Sequence, residues 1–138
     1  MFDLQKFKKQ LIDKKIITAE EFDKFSAEAD KKQEYILNYL ISQQVAAEET
    51  LYEILSEVYN LPFIDLKNKT VRKDILTVIP EPIARTHHIV AFDKDDQNIL
   101  KLALLDPDDI QTIEFIKKKI SGDIKLFLTT PTKLQEIL

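Results

Sequence analysis

Hydrophobic residues in the first sixty positions recur at helical spacing, and the pattern occurs twice. Leu11-Ile12 and the segment 16–22 return twenty-nine positions later as Leu40-Ile41 and the segment 45–51. A duplicated helical unit is typical of stacked repeats or of a symmetric binding surface. We therefore expect two similar helical hairpins in the first half of the chain.

Each repeat predicts two short amphipathic helices joined by a tight turn. The turns are Lys14-Lys15 in the first repeat and Gln43-Gln44 in the second. Thr18 is the expected N-cap of the second helix, since Glu21 three residues later completes a capping box. Two such hairpins bury their apolar stripes against each other as a small four-helix bundle. The predicted buried positions are Leu4, Phe7, Leu11, Ile12, Phe22, Phe25, Ala29, Ile36, Leu37, Leu40, Ile41, Leu51, Ile54, Leu55 and Val58.

The pattern changes after residue 60, where extended segments alternate with short helices. Pro62 does not continue a helix, and the apolar residues around it favour an extended segment over 61–66. Two apolar runs further on predict a β-hairpin with a polar connection at 93–98. Short helices are expected at 72–78 and 80–85, and the hairpin strands at 89–92 and 99–105.

The segment 106–109, with the sequence Asp-Pro-Asp-Asp, carries the best-marked helix start in the chain. Asp106 is the expected N-cap, and Pro107 suits the first helical position. The lysines at 117–119 fall in the predicted last turn, and Gly122 is expected to end the helix in a left-handed conformation. The predicted buried face consists of Ile110, Ile113, Ile116 and Ile120.

A strand over 123–128 follows this helix, so strand, helix and strand predict a right-handed parallel crossover. A last helix begins at Thr130 and reaches Leu138 without a C-cap signal, and we expect the chain to be part of a longer protein. The predicted fold class is α+β: a duplicated four-helix subdomain, residues 1–60, precedes a small α/β subdomain, residues 61–138. The core of the second subdomain is a three-stranded mixed sheet with helices, in the order ββαβα.

Composition and charge exclude several classes of protein. The 138-residue chain has no cysteine, which excludes a disulfide framework and a thiolate metal site and fits a reducing cytoplasm. The net charge is −4: residues 1–60 hold 8 Lys against 12 Asp and Glu, and residues 61–138 hold 12 charges of each sign. The strongly basic footprint of nucleic-acid binding is absent. No apolar run reaches the roughly twenty residues that span a bilayer, so no direct membrane insertion is expected.

The titratable clusters have ordinary structural explanations. Adjacent histidines on a strand, His87-His88, point to opposite faces and make a poor metal pair. The aspartates at 93, 95 and 96 lack the glycine and the terminal glutamate of a calcium loop, so a solvated hairpin turn explains them. Helix-start and helix-end chemistry account for the aspartates at 106–109 and the lysines at 117–119. We expect no catalytic residue and no metal site.

Tyr35, Tyr39 and Tyr59 are open to two interpretations. Together with the helical phenylalanines they suit the core of a small bundle, or they form an exposed aromatic groove that docks a partner. Core packing accounts for most of these rings. Any ring that remains exposed marks a candidate partner site.

Three sequence motifs follow the paired helical units in a fixed order. They are Leu-Pro-Phe-Ile-Asp-Leu at 61–66, Ile-Pro-Glu-Pro-Ile-Ala-Arg-Thr-His-His at 79–88, and Ala-Leu-Leu-Asp-Pro-Asp-Asp at 103–109. This succession resembles the N-terminal domain of type II secretion and type IV pilus assembly ATPases, the domain class that includes the MshE-like cyclic di-GMP receptors. The resemblance runs from about Lys6 to Leu138.

The resemblance implies a domain that precedes a hexameric ATP-hydrolysing motor domain. Such a domain couples the motor to inner-membrane platform proteins and, in some members, binds cyclic di-GMP. The chain has a single glycine, which excludes the phosphate loop GxxxxGK[ST]. These residues are therefore not expected to hydrolyse ATP themselves.

Nucleotide-binding members carry, in each repeat, Arg-Leu-Gly at the start, Gly before the second helix and Gln near the end. Lysine lacks the planar fork of arginine, and a side chain in place of glycine occupies the phosphate approach. We therefore expect no bound cofactor and no tight binding of cyclic di-GMP. The corresponding residues are Lys6, Phe7, Lys8, Lys15 and Ala29 in the first repeat, and Tyr35, Ile36, Leu37, Gln44 and Val58 in the second.

The sequence thus predicts a non-catalytic docking and regulatory domain of a secretion or pilus ATPase. Its expected partners are an inner-membrane platform or cytoplasmic adaptor protein and the motor domain of its own chain. The expected location is the cytoplasm, peripheral to the inner membrane through those partners. The alternative is a divergent receptor for cyclic di-GMP or another small ligand, in which Lys6 and Lys8 converge with the residues before Ile16 into a concave basic site.

Overall fold

The first half of the chain is helical, and the second half forms a small sheet with helices. The structure is a computed structural model that describes residues 2–67, 69–120 and 122–138. The predicted α+β class is confirmed. Across the described residues the elements are α1 (Leu4–Asp13), α2 (Ala19–Lys31), α3 (Ile36–Ser42), α4 (Glu48–Tyr59), α5 (Lys73–Leu76), α6 (Glu81–His87), β1 (Ile89–Lys94), β2 (Leu100–Leu104), α7 (Ile110–Lys119), β3 (Ile124–Leu128) and α8 (Pro131–Ile137).

The helices α1 to α4 form the two predicted hairpins. The capping box is present, because the Thr18 hydroxyl accepts from the Glu21 N–H and the Glu21 carboxylate accepts from the Thr18 N–H, each at 3.1 Å. Two reciprocal hydrogen bonds thus satisfy donors at the start of α2. Most of the predicted stripe is buried. The half-buried exceptions are Leu4, Ile12, Phe25 and Ile41.

The sheet has the strand order β1-β2-β3. β1 pairs antiparallel with β2, and β2 pairs parallel with β3 across α7, which confirms the mixed three-stranded arrangement. The extended segment that contains Pro62 lies beside the outer edge of β3. Phe63 forms a parallel bridge with Leu128, whose N–H donates to the Pro62 carbonyl at 2.9 Å. This edge is therefore covered by the chain itself.

One hydrophobic core joins the helices to the sheet. Leu51 and Leu55 of α4 belong to the same buried cluster as Leu102 and Leu104 of β2 and Leu128 of β3. α4 also contacts β3 directly. The last helix of the repeat unit is therefore one element through which the first half of the chain packs on the second.

The helix after β2 starts later than the sequence predicts. α7 begins at Ile110 with Asp109 as the N-cap, so the assignment of Asp106 as cap and Pro107 as first helical residue is wrong. Asp106 Oδ1 instead accepts from the Asp108 N–H at 2.9 Å, and the Asp106 carbonyl accepts from the Asp109 N–H at 3.2 Å. An aspartate turn has therefore formed where a helix start was expected, since both use the same side-chain acceptor.

The buried face of α7 also differs from the prediction at two positions, since Ile110 is exposed and Ile120, the C-cap, is only half-buried. Ile113 and Ile116 are buried as predicted, but Ile110 is 63% exposed. With Thr112 also buried, the inward face is centred on 112–116, and at about 100° per residue Ile110 lies outside it. The sequence pattern identified the helix but misplaced its first turn.

Gly122 does not cap α7 as predicted. The helix ends at Lys119, and its C-cap Ile120 has an extended backbone. Gly122 has φ 145°, and a Cβ added to it would lie 2.9 Å from the Asn98 carbonyl oxygen. The glycine is required at this position by its backbone angle and by this close approach.

The two histidines do not lie on a strand, which corrects another expectation. His87 ends α6, and His88 is its C-cap with a left-handed φ of 54°. His87 Nδ1 lies 3.0 Å from Asp109 Oδ2 and 3.1 Å from Thr112 Oγ1. The His87 side chain therefore connects the end of α6 to the start of α7.

Candidate functional site

The turn residues Lys15 and Gln44 hold a backbone conformation that favours glycine. Their φ angles are 60° and 59°. In each hairpin the next N–H donates to the carbonyl five residues earlier, at 3.0 Å from Ile16 and at 3.1 Å from Val45. A left-handed residue with this hydrogen bond is the Schellman type of helix end, which glycine usually forms. The two hairpins therefore share their backbone geometry as well as their sequence pattern.

The side chains at the start of the first repeat do not form a basic site. Phe7 is fully buried and Lys6 is exposed. The Lys8 ammonium pairs with Asp23 Oδ1 at 2.8 Å and also lies 5.9 Å from the Phe22 ring centre. Lys8 is thus engaged by neighbours on α2. Neither Lys6 nor Lys8 is among the described residues that line the cavity at Tyr35 and Tyr59 or the shallow cavity at Phe115.

The second repeat differs further from a nucleotide site. Ile36, Leu37 and Val58 are buried as predicted. Leu37 stands where the resemblance places the first glycine of the second repeat, and its side chain is fully buried. Gln44 is exposed at the opposite end of α3. This half of the repeat is therefore built for packing.

Of the three tyrosines singled out by the sequence, Tyr39 belongs to the core. It is buried, and its hydroxyl donates a hydrogen bond to the Glu28 carboxylate. This hydrogen bond, together with burial, raises the pKa of Tyr39 to about 12. Tyr35, in contrast, is 43% exposed, and Tyr59 is half-buried. Tyr35 and Tyr59 are therefore the two rings that could still form the exposed aromatic groove.

Tyr35 and Tyr59 line a cavity of about 520 Å³ at the junction of the helical half and the sheet half. We call it the junction cavity. The helical half supplies its aromatic wall, and the loop between β2 and α7 supplies two carboxylates. The lining residues used below are Phe2, Tyr35, Tyr52, Tyr59, Asp106 and Asp108.

The aromatic wall of the junction cavity is organised around Phe2. The Phe2 ring centre lies 6.3 Å from that of Tyr59 in a stacked arrangement and 6.1 Å from that of Tyr35 in an edge-on arrangement. Both geometries are favourable for aromatic pairs. Tyr52 forms the floor, because it is almost fully buried. The segment before α1, the N-cap of α3 and the helix α4 thus present rings to one space.

The acidic wall is held in place by hydrogen bonds from the aromatic wall. Asp108 Oδ2 accepts from the Tyr59 hydroxyl at 2.7 Å and from the Phe2 N–H at 2.8 Å. Burial raises the pKa of the Asp108 carboxyl, but hydrogen bonds to the carboxylate, those from Tyr59 and the Phe2 N–H among them, lower it, and the pKa lies below its ordinary value. Burial, and then the bond to Asp108, raise the pKa of Tyr59. Asp108 therefore stays ionised and Tyr59 stays neutral at pH 7.

A second group of contacts holds α8 against α4. The Glu48 carboxylate accepts from the Thr132 N–H at 3.0 Å and from its hydroxyl at 3.1 Å. The Lys133 ammonium lies 2.9 Å from Asp65 Oδ1 and 3.3 Å from Glu49 Oε2. These contacts connect the start of α4, the extended segment after α4 and the start of α8. Side-chain contacts therefore connect the helical half to the sheet half at two places, at Asp108 and at the start of α8.

A separate exposed patch lies on α6 and α7. Phe115 is 46% exposed and lines a shallow cavity of about 300 Å³ with Ile83 and His87. Ile110 is exposed on the same helix as Phe115. None of these four residues lines the junction cavity, so Phe115 provides an exposed aromatic side chain for comparison with Tyr35.

Sequence reasoning identified part of the junction cavity. Tyr35 and Tyr59 were candidates for an exposed aromatic groove, and both line it. Phe2 was missed, and the carboxylates of Asp106 and Asp108 were assigned to a helix start. No local signal identifies these residues, because they meet only after α4 has packed on the sheet.

The described residues show neither a membrane span nor a metal cluster. No helix within 2–67, 69–120 and 122–138 is long and apolar enough to cross a bilayer. Within the same ranges no group of three or more His, Cys, Asp or Glu side chains is placed to hold a metal ion.

Comparison with known proteins relates the chain to a family of domains. The family described as the MshEN domain matches residues 59–138. The type IV pilus assembly ATPase PilB of Myxococcus xanthus (strain DK1622) is 23% identical over 128 residues, a match that covers 93% of this chain and 22% of that protein. The chain thus spans about a fifth of the length of this relative.

Solved structures share the fold. A structure of MshE with cdg, cyclic di-GMP, matches with a TM-score of 0.79 at 20% identity over 94% of both chains. The N-terminal domain of XpsE matches with a TM-score of 0.70 at 16% identity, over 96% of this chain and 91% of that one. At these identities the matches establish the architecture.

Proposed function

This chain belongs to the MshEN domain family, and we propose that it is a non-catalytic docking and regulatory domain of a type II secretion or type IV pilus assembly ATPase. Its proposed partners are an inner-membrane platform protein or a cytoplasmic adaptor, and the motor domain of its own chain. It acts in the cytoplasm and is peripheral to the inner membrane through these partners. The observation that carries the proposal is the partly exposed aromatic wall of the junction cavity.

Exposed rings beside a preformed concavity are characteristic of partner sites. Aromatic side chains are enriched at protein interfaces, and tyrosine offers both apolar area and a polar tip. Tyr35 exposes 43% of its surface here instead of packing into the bundle, as Tyr39 does. A ring of this size at the mouth of a cavity supports docking of a protein segment.

The position of the cavity supports a coupling role. We propose that residues 1–60 and 61–138 act as two subdomains, with the junction cavity at their boundary. A partner bound there touches Tyr35 of the first subdomain and Asp106 of the second. Binding therefore responds to the relative position of the two parts, which is what coupling a motor to a platform requires.

The wall charge supports a protein partner over a nucleic acid. The described lining of the junction cavity includes Asp106 and Asp108 and no Lys or Arg. Phosphate backbones are attracted to lysine and arginine and repelled by carboxylates. The net charge of −4 acts in the same direction.

Titration with partner proteins tests the docking function. The purified chain is titrated calorimetrically with the cytoplasmic regions of the platform and adaptor proteins of the same secretion or pilus machine. We expect one of them to bind, and Tyr35→Ala to weaken binding by about tenfold or more, as truncation of an aromatic anchor does. Phe115→Ala is the control, since Phe115 is equally exposed but lies outside the junction cavity.

Two results contradict the docking function. One is that none of these proteins binds while circular dichroism shows the chain to be folded. The other is that Tyr35→Ala and Phe115→Ala have equal effects, which removes the junction cavity from the interface.

The second candidate function is reception of cyclic di-GMP. Two observations favour it: the fold is shared with MshE, whose structure contains this nucleotide, and Lys15 and Gln44 keep a left-handed backbone. The side chains at the positions that correspond to the nucleotide motif argue against this function. Leu37 is buried in the core, and Lys8 is paired with Asp23. We therefore place this function second.

A calorimetric titration with cyclic di-GMP separates the two functions. We expect no heat of binding for the folded wild-type chain. Micromolar or tighter binding that is lost in the double variant Lys6→Ala/Lys8→Ala establishes the receptor function instead.

A further inference from the structure

The floor of the junction cavity carries a hydroxyl that has no acceptor in the described chain. Tyr52 belongs to the hydrophobic core, is only 2% exposed, and lines the cavity. Its hydroxyl makes no hydrogen bond with any residue that the structure describes. Buried polar groups nearly always have a partner, and an unpaired one costs free energy. Water is the acceptor available to the Tyr52 hydroxyl until a ligand replaces it.

The Tyr52 hydroxyl is a donor that faces the same space as Asp106. Burial, and then the charges of Glu48 and Asp106, raise the pKa of Tyr52 to about 12. The phenol therefore keeps its proton at neutral pH, and it lies close enough to Asp106 to be influenced by that carboxylate. Since Asp106 also lines the junction cavity, the hydroxyl belongs to the polar part of the cavity wall.

Tyr35 supplies a second phenol to the cavity. Its hydroxyl likewise makes no hydrogen bond with the described part of the chain. Burial raises the pKa of Tyr35, and the nearby Tyr52 phenol and the Asp106 charge raise it further. The third phenol is already engaged, because the Tyr59 hydroxyl donates to Asp108. The cavity therefore offers two O–H donors, at Tyr35 and Tyr52, that no described residue uses.

A neutral carbonyl is the acceptor that suits these two donors. An anionic acceptor would bring its charge close to the exposed carboxylate of Asp106, which is unfavourable. The main-chain carbonyls of a helix or a sheet are occupied by hydrogen bonds of their own. Those of a polyproline helix are free, because this conformation has no internal hydrogen bonds. Proline also has no N–H that would need an acceptor inside the cavity.

We infer that the junction cavity receives a proline-rich segment of the partner protein in the polyproline conformation. This inference rests on the proposed docking function and names the chemistry of the segment that docks. A carbonyl of the segment accepts from the Tyr52 hydroxyl, and a pyrrolidine ring packs on the rings of Phe2 and Tyr35. Aromatic-lined grooves recognise such segments because the polyproline conformation exists before binding, so little conformational entropy is lost.

The aromatic wall is in place before a ligand binds. The Phe2 ring centre lies 6.3 Å from that of Tyr59 and 6.1 Å from that of Tyr35, and Asp108 holds both the Tyr59 hydroxyl and the Phe2 N–H. A preformed wall does not have to be ordered by the segment, which favours binding. The volume of about 520 Å³ lies within the roughly 300–1,000 Å³ of ligand pockets, so the cavity suits a short stretch of peptide.

A pair of mirror-image peptides tests the inference without knowledge of the partner. Capped octaproline forms the left-handed polyproline helix, and capped octaproline made of D-proline forms its mirror image with the same composition. The wild-type chain is titrated with each peptide and followed by nuclear magnetic resonance. We expect the L-peptide to shift the ring resonances of Phe2, Tyr35 and Tyr52. It should bind at least about fivefold more tightly than the D-peptide, which cannot make the hydrogen bond and the ring contact together.

Two phenylalanine variants assign the binding to the free hydroxyl. Tyr52→Phe keeps the ring and removes a hydroxyl without a partner among the described residues, so stability is not lowered. It is expected to weaken octaproline binding by about threefold to tenfold, the contribution of one neutral hydrogen bond. Tyr39→Phe is the control, because it removes a hydroxyl that contacts Glu28 outside the cavity. The folded Tyr39→Phe variant is expected to bind octaproline as the wild type does.

Three results overturn the inference: L- and D-octaproline that bind equally or not at all, shifts located outside the junction cavity, or an unchanged affinity in Tyr52→Phe. They are distinct from failure of the docking function. If a platform or adaptor protein binds through Tyr35 but octaproline neither binds nor competes with it, docking stands and the proline inference falls. If octaproline binding depends on Tyr52 but no such protein binds, the proline site stands and the docking function falls.

Discussion

The hydroxyl of Tyr59 donates a 2.7 Å hydrogen bond to Oδ2 of Asp108, forty-nine residues further along the chain. Tyr59 is the last residue of α4, and Asp108 lies in the turn before α7. The bond therefore ties the end of the duplicated helical unit to the sheet half, at the wall of the junction cavity. This hydrogen bond therefore both stabilises the packing of the two halves and forms part of the candidate site.

Removing the Tyr59 hydroxyl is expected to destabilise the chain. Tyr59→Phe leaves the ring packed but takes one donor from a partly buried carboxylate, so the free energy of unfolding falls by about 1–2 kcal/mol. Tyr35→Phe is the control, because the Tyr35 hydroxyl makes no hydrogen bond with the described residues and its loss changes stability by less than about 0.5 kcal/mol. Urea unfolding followed by circular dichroism measures both. Equal losses in the two variants contradict the role of the Tyr59 bond.

The four tyrosines are expected to ionise only at strongly alkaline pH. Burial raises the pKa of Tyr35, Tyr52 and Tyr59 above 10.0, to about 12 for Tyr52, and a hydrogen bond to Glu28 raises that of Tyr39 to about 12. An unfolded chain ionises its tyrosines near pH 10. Stability is therefore fully present below pH 10 and is lost as pH rises toward 12, because the unfolded state releases these protons first.

Ultraviolet absorbance of tyrosinate tests this pH dependence. Near pH 10 the folded chain is expected to show little tyrosinate, whereas the chain in urea shows about half of its tyrosines ionised. The folded signal is expected to rise together with the loss of helical circular dichroism. A folded chain whose tyrosines are half ionised at pH 10 contradicts these raised pKa values.

Glycine is expected to stabilise the turn at Gln44. A non-glycine residue in the left-handed region costs about 1–2 kcal/mol, so Gln44→Gly raises the free energy of unfolding by up to about 1 kcal/mol after the extra entropy of the unfolded glycine. Gln43 is the matched control. Its φ is −84°, and Gln43→Gly lowers stability by about 0.5–1 kcal/mol. The midpoints of thermal and urea unfolding should rise for Gln44→Gly and fall for Gln43→Gly. A shift of both midpoints in the same direction contradicts the left-handed turn.

The Lys133 ammonium is expected to contribute more to stability than a surface lysine. Its side chain is 13% exposed and it lies within 3.3 Å of carboxylate oxygens of Glu49 and Asp65. Lys133→Met keeps the apolar stem and leaves two acidic groups close together, so stability falls by about 1 kcal/mol or more. Lys117→Met removes an exposed lysine 3.8 Å from Glu114 and is expected to change stability by less than about 0.5 kcal/mol. Similar losses measured by urea unfolding would show that Lys133 behaves as a surface charge.

A prediction made from neighbouring residues agrees with the structure where those residues can form only one local structure. The Thr18 and Glu21 capping box is an example, since both groups lie within three residues and no other acceptor competes. The prediction fails at Asp106, where the same carboxylate closes a turn instead of starting a helix. It also fails at His88, whose left-handed backbone ends α6 one residue before β1. Where two local structures use the same group, packing selects between them.

The sequence by itself determined the duplicated helical hairpins, the α+β order and the buried stripes, because periodicity of apolar residues acts within each element. It also named Tyr35, Tyr39 and Tyr59 as rings either for the core or for an exposed groove, without deciding between them. Only the tertiary structure brought Phe2, Tyr59 and Asp108 together and separated exposed Tyr35 from buried Tyr39. The physical reason is that these residues are distant along the chain, so the packing of α4 on the sheet decides which of them meet and which face solvent.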